Sequence, residues 1–279
     1  MAKILRTLGD SFGISPLTRM RVRLWLAEGR ERALDCGWLR AERRPLKART
    51  LVLLYHRITT QHSGWSPSRP AAVSVNLFRA QMEALRERFD VVPLDRLLEA
   101  TGSATRPQAA VTFDDGYRDT LTTAAPLLAA RGFPFTVFVP ARHLGTANYL
   151  DHAGLRELAS LPGAAVGAHG ADHVPLTRLD DAALARELAD SRKRLEDVLG
   201  RTVDRMSYPF GAVDRRVRDA AAAAGFAFAG ASFYGPNLPS RDPLLLRRTE
   251  AVAWDTPDDL RLKAFGSWDW FRLRQGDRA

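Results

Sequence analysis

A single cysteine, Cys36, is all that 279 residues contain, so no intrachain disulfide can staple the fold and nothing points to an oxidising compartment. Long apolar runs are missing as well. The opening MAKILRTLGDSF has no ~7–15-residue apolar core of a secretory signal, and no later stretch approaches the ~18 residues of a membrane-spanning helix. The expected location is therefore cytoplasmic, with peripheral attachment at the inner face of the membrane left open. Low-complexity sequence is confined to an alanine run at 220–224, and no period of ~20–50 residues repeats, which excludes a solenoid. Neither a helix-turn-helix signature nor a zinc finger is present, so nucleic acid is not an expected partner. Histidine, finally, ends early: none of the six follows His173.

The charge that is present is unevenly placed. Residues 1–50 hold 12 Lys and Arg against 5 Asp and Glu, a net of +7 within a whole-chain net of +9. The rest of the chain is nearly neutral. In the extension, LTRMRVRLWLAEGRERALDCGWLRAERR mixes Leu, Val and Trp with arginine at spacings that suit amphipathic helices. Such a surface fits contact with anionic lipid, a phosphorylated substrate or a partner; a helical collar with a solvated basic face is the plainer reading.

After Pro45 the pattern turns to alternating strands and helices. Strands are expected at 51–55, 91–92, 109–113, 134–139, 164–168, 205–208, 226–231 and 245–252. Helices are expected at 77–89 and 180–200, with Asp180 or Asp181 as N-cap and Gly200 as the stop. This alternation means an α/β fold with a parallel sheet, and a (β/α) barrel suits the length better than two small sheets. The division expected is a basic helical extension at 1–48, the barrel at 49–256, and a helical, aromatic tail at 257–279 packed on the barrel.

In barrels of this kind chemistry sits where strands end. The stretch AAVTFDDGYRDT puts two carboxylates, Asp114 and Asp115, between an expected strand and Gly116. Side by side they repel, a cost the fold must offset or use. His56 ends the first strand, His169 ends 164–168, and His173 follows four residues on in HGADH. Two imidazoles and one carboxylate make a catalytic zinc set with open positions. One of the paired acids then ligates the ion, while its neighbour stays free to take a proton from water. The ion's charge also removes much of the repulsion.

TFDDG, then H-x-x-x-H, then YPFG, in that order and each at a strand end, resembles the NodB-homology polysaccharide deacetylases (carbohydrate esterase family 4) across residues 50–255. The resemblance implies a distorted (β/α)7 barrel and metal-dependent removal of acetyl groups, usually from N-acetylated hexosamines in a glycan or glycolipid. Because no histidine follows YPFG while LVLLYHRI stands at the front, the chain is similar to the circularly permuted branch of poly-N-acetylglucosamine deacetylases of exopolysaccharide systems. Carried over, Asp115, His169 and His173 bind a divalent metal, foremost Zn2+, with Co2+, Ni2+ or Fe2+ as alternatives. Asp114 is the general base and His56 the general acid. The backbone N–H of Phe210 helps hold the oxyanion, with Tyr208 and Pro209 counted beside it as facing oxyanion or substrate. Tyr117, just after the paired acids, is read from its position as lining the groove or as packing.

Two departures stand out. The Ser or Thr usual after the first metal histidine is Gly170, and the arginine usual two residues before the later proline is Ser207. Arg205, Arg247 or Arg248 would then serve Asp114, and Asp255 or Asp242 would orient His56. Trp65 in HSGWSPSRP is a candidate for stacking on a sugar ring, whereas His62, His143 and His152 lack motif context and read as structural or surface residues.

Overall fold

Every strand pairing in the main sheet is parallel. In chain order the strands are β1 (Thr50–Tyr55), β2 (Arg57–Thr59), β3 (Ala72–Ser74), β4 (Asp90–Val91), β5 (Gln108–Phe113), β6 (Phe135–Val139), β7 (Ala164–Ala168), β8 (Arg205–Ser207), β9 (Phe228–Gly230) and β10 (Thr249–Glu250). The sheet runs β10-β1-β5-β6-β7-β8-β9, with β4 added beside β5, while β2 and β3 pair separately. This computed structural model describes residues 50–60, 71–98, 106–264, 266 and 269. The extension at 1–48 with Cys36, the loop residues His62 and Trp65, and most of the aromatic tail lie outside the described residues.

The sheet curls into a half-barrel with helices outside it, the distorted barrel the sequence implies. Strand twist curls it, and the two ends approach at Leu246, which bridges Gly230 in parallel sense shortly before β10 joins β1. β1 and β5, buried at every position, run in register from Thr50 opposite Gln108 to Tyr55 opposite Phe113. That two-sided burial is why both read as continuous apolar runs. Their ends therefore lie level, and His56 emerges beside Asp114.

Helix α1 (Val75–Arg88) starts at Ser74, whose hydroxyl accepts from Leu77 N–H, and it buries Phe78, Gln81, Met82 and Leu85. Phe78 meets Tyr55 edge-on at 5.1 Å, and Tyr55 stacks on Phe113 at 5.6 Å. The core thus reaches to within one residue of both His56 and Asp114. Further along come α2 (Ala125–Ala129), α3 (His152–Ser160), α4 (Asp181–Leu199), α5 (Arg215–Ala223) and α6 (Pro257–Ala264). Asp180 caps α4 through Ala183 N–H, and Gly200 ends it in the left-handed conformation at φ 66°.

The expected strand at 245–252 is the main correction. Only Thr249–Glu250 is strand, because Pro243–Leu245 form a 3-10 turn and Arg248 N–H turns to the Phe233 carbonyl. The expected strand at 226–231 likewise shortens to Phe228–Gly230. The β2–β3 pair was not expected: three residues each are too few to show alternation. No described helix is long and apolar enough to cross a membrane.

Candidate active site

The paired acids diverge because the backbone between them reverses. Asp114 N–H still bonds the Tyr55 carbonyl at 2.8 Å, continuing the β1–β5 ladder. Asp115 then takes φ 71° and Gly116 φ 65°. A Cβ at Gly116 would lie 3.0 Å from a Val139 methyl at a positive φ, so any other residue there would be strained. His173 and Phe210 also hold positive φ, at 54° and 60°. Left-handed backbone costs a non-glycine residue about 1–2 kcal/mol, and among the described residues three of the four cases, with Asn148 the fourth, lie in this one cluster. Strain concentrated this way marks a site held by its surroundings.

Asp115 turns toward the two histidines. Its Oδ1 lies 3.3 Å from His173 Nε2 and 3.5 Å from His169 Nε2, and one donor atom from each residue fits within 4.8 Å of the others. Burial pushes the Asp115 carboxyl up, but the His169 and His173 imidazoles beside it outweigh that and hold the group well below the usual carboxylate range. Burial pushes the His169 imidazole down, yet the charges of Asp114 and Asp115 win and raise it. His169 Nδ1 is taken by the Ser207 carbonyl at 3.0 Å and its hydroxyl at 2.6 Å. Nε2 is thereby aimed at the cluster, as in metal sites. Two imidazole nitrogens and an ionised carboxylate fit a divalent ion with positions to spare.

Gly170 leaves the loop without a hydroxyl, and a residue from α4 takes that place. Glu187 Oε1 accepts from Ala171 N–H at 2.8 Å and Asp172 N–H at 2.7 Å. It lies 3.0 Å from where a Gly170 Cβ would be, and Gly170 itself has φ +72°. Small size at 170 and the buried acid at 187 are one arrangement. The sequence carries a signal for it: Leu184, Glu187, Leu188, Ser191 and Leu195 form the buried face of α4, and an acid on such a face needs a partner.

Asp114 turns the other way, into protein. Arg248 Nη1 and Nη2 donate to its two oxygens at 2.7 and 2.8 Å, and the Ser207 hydroxyl reaches Oδ1 at 3.1 Å. Burial alone raises the carboxyl; Arg248, His169 and His56 together bring it below the ordinary value. Room for the guanidinium comes from Gly230, where a Cβ would stand 2.6 Å from Arg248 Nε. Of the three arginines considered for this contact, Arg205 instead pairs with Asp204 and Asp95, and Arg247 Nη1 donates to the Pro236 carbonyl at 3.5 Å.

His56 faces Glu250, whose Oε1 lies 3.9 Å from Nδ1, a nitrogen with no hydrogen-bond partner among the described residues. The expected acids are engaged elsewhere: Asp255 with Lys263 at 2.5 Å, and Asp242 with Arg218 at 2.7 Å. Glu250 is the carboxylate sequence reasoning missed, since β10 brings it to β1 only through the fold.

Phe210 is 66% exposed, the one exposed large hydrophobic residue described, and its ring lies 4.7 Å from His173. Tyr208, counted with it as facing substrate, is a correction: it is fully buried and its hydroxyl donates to the Leu244 carbonyl at 2.8 Å. Pro209 is buried between them. Tyr117 stacks on Tyr149 at 4.8 Å, with the Arg57 guanidinium 5.0 Å from its ring centre. His143 is closer to the cluster than its lack of a motif suggests, 5.9 Å from His173 ring to ring, whereas His152 is exposed at the start of α3.

Residues 101–229 match the polysaccharide deacetylase family. The protein of Bacillus subtilis (strain 168) named as polysaccharide deacetylase YxkH is 27% identical over 194 residues, 68% of this chain and 66% of that one. The match thus spans just under two thirds of the relative's length. Among solved structures, the Streptococcus pyogenes deacetylase PplD in complex with acetate superposes with a TM-score of 0.69 at 21% identity, covering 77% of this chain and 98% of its own. IcaB from Ammonifex degensii gives 0.66 at 22%, covering 79% and 97%. At those identities the structural likeness speaks for the barrel alone. With the sequence match to the same name and the strand-end residues in place, residues 101–229 are identified as a polysaccharide deacetylase domain.

Proposed function

We propose that this chain is a metal-dependent deacetylase that hydrolyses the N-acetyl group of hexosamine residues in a glycan or lipid-linked saccharide. The observation that carries the reading is the divergence of Asp114 and Asp115: one joins two imidazoles, the other is clamped by an arginine beside them. A divalent cation held by Asp115, His169 and His173, Zn2+ on the character of these donors, would act as a Lewis acid toward the acetyl oxygen and acidify water.

The protein's own groups account for the proton movements. Asp114 takes a proton from the attacking water, and Arg248 keeps it ionised and pointed for that step. The N–H of Phe210 would donate to the oxygen of the tetrahedral intermediate. His56, at the end of the neighbouring strand, delivers a proton to the amide nitrogen as the C–N bond breaks. Acetate and a free amine leave, and one water is consumed. The exposed Phe210 ring beside His173 offers an apolar face to a sugar.

The test is acetate release from N-acetylglucosamine oligomers and from an O-acetylated glycan, by metal-stripped protein and after Zn2+ or Co2+ is returned. Metal-dependent release from the N-acetyl substrate supports the reading. Release from the O-acetyl substrate alone would change the substrate class, and no release from either would favour a barrel that only binds saccharide.

A further inference from the structure

One serine lies where the two halves of the site meet. Ser207, the last residue of β8, has no exposed surface. Its hydroxyl is 2.6 Å from His169 Nδ1 and 3.1 Å from Asp114 Oδ1, and its carbonyl is 3.0 Å from the same Nδ1. A hydroxyl has one hydrogen to give and oxygen lone pairs to accept with. Both Asp114 oxygens already receive Arg248 N–H groups, the pattern of an anionic acceptor. The Ser207 hydrogen therefore goes to Asp114 Oδ1.

The consequence falls on His169. With its hydrogen committed, the Ser207 oxygen can only accept from the ring, so in a neutral imidazole the hydrogen sits on Nδ1, between that oxygen and the Ser207 carbonyl. Nε2 is left bare, facing Asp115 Oδ1 at 3.5 Å. The Ser207 carbonyl, which can only accept, calls for the same Nδ1 hydrogen; with the hydroxyl reversed, Oδ1 would lose a donor and a bare Nδ1 would face that carbonyl, so the hydroxyl and carbonyl agree only in the tautomer that leaves Nε2 free as a ligand.

We infer that Ser207 is a positioning residue that ties the base to the metal centre: by donating to Asp114 it fixes His169 in the tautomer whose Nε2 can bind the ion. This rests on the reading of Asp115, His169 and His173 as a metal centre and adds the device that prepares one of its ligands.

The experiment titrates metal-stripped full-length protein with Co2+, comparing wild type with Ser207→Ala and Ser207→Thr. Loss of the hydroxyl should weaken Co2+ binding about 10-fold, while Ser207→Thr stays near wild type and the melting temperature of stripped Ser207→Ala stays close to that of stripped wild type. Wild-type affinity in Ser207→Ala, or equal weakening in Ser207→Thr, overturns the inference. If Ser207→Ala does not fold, ring-nitrogen NMR of stripped wild type decides at alkaline pH: hydrogen on His169 Nδ1 supports it, and hydrogen on Nε2 overturns it. Wild type that binds no Co2+ would overturn the metal centre and this inference together, whereas variant binding unchanged from wild type overturns only the part given to Ser207.

Discussion

The two groups assigned to proton transfer are supported in opposite ways. On the base side, the side chains of Arg248 and Asp114 are 0% and 4% exposed and joined by two charge-assisted hydrogen bonds. On the acid side, His56 and Glu250 are 22% and 37% exposed and 3.9 Å apart, beyond hydrogen-bonding distance. A buried charge must have its partners complete, since an unpaired one costs several kcal/mol. A group that must load and release a proton in each turnover instead needs access to water and a partner that does not hold it in one state. The proposed base is fixed by the fold before substrate arrives, and the proposed acid is left adjustable. Arg248 and Glu250, two residues apart, deliver both kinds of support from the same edge of the sheet.

Breaking the tight side should have the largest effect. Arg248→Ala leaves the Asp114 carboxylate buried without its main partner, and a loss of about 3–5 kcal/mol of stability is expected in chemical unfolding. Arg248→Lys keeps the charge but not the two-pronged geometry. Burial pushes Asp114 up and Arg248 brings it down, so weakening that contact should move the acidic limb of kcat/KM to higher pH. The sign for stability agrees. A carboxylate lowered on folding contributes stability above its unfolded pKa, and that contribution disappears as pH falls through the folded value; in Arg248→Ala this part of the pH dependence should be gone.

A smaller effect is expected at the loop brace. Glu187→Ala removes the acceptor for Ala171 and Asp172 N–H and should weaken Co2+ binding roughly 10-fold or more, read by titration. Glu187→Gln, which retains a carbonyl oxygen, should recover most of it. On the loose side, Glu250→Gln should lower kcat by up to about 10-fold and leave metal affinity and melting temperature unchanged; an effect as large as that of Arg248→Ala would erase the contrast between the two sides. Least of all should follow from Asp242→Asn, remote from the cluster and paired with Arg218 at partly exposed positions. Its lowered carboxyl, raised by burial but brought down more by Arg218, should be worth less than about 1 kcal/mol. That contribution is present above the unfolded carboxylate pKa and lost on acidification, with acetate release unaltered at neutral pH.

What the sequence made legible was local. Strand ends announced His56, Asp114, Asp115 and His169 because a buried apolar run that stops at a polar residue needs no tertiary information to read. Asp180 and Gly200 marked a helix for the same reason. What stayed hidden depends on closure of the sheet. The sequence offers three arginines for Asp114 but cannot choose Arg248, 134 residues away, and it gives no sign that Ser207, 93 away, reaches the same carboxylate. The segment at 245–252 looked like an ordinary strand because its leucines are apolar, but its arginines are there for contacts that interrupt the ladder. Gly170 looked like a deficit in HGADH; with Glu187 in place it is the space a carboxylate occupies.

The proposed role of Asp115, His169 and His173 is to hold an ion without which Asp114 and His56 do nothing. It is tested most directly by measuring bound metal and acetate release together, on N-acetylglucosamine oligomers, for wild type and Asp115→Ala purified side by side. Loss of bound metal and loss of acetate release in the variant, with both present in wild type, is the predicted result. Acetate release that persists in an Asp115→Ala protein free of metal would contradict it.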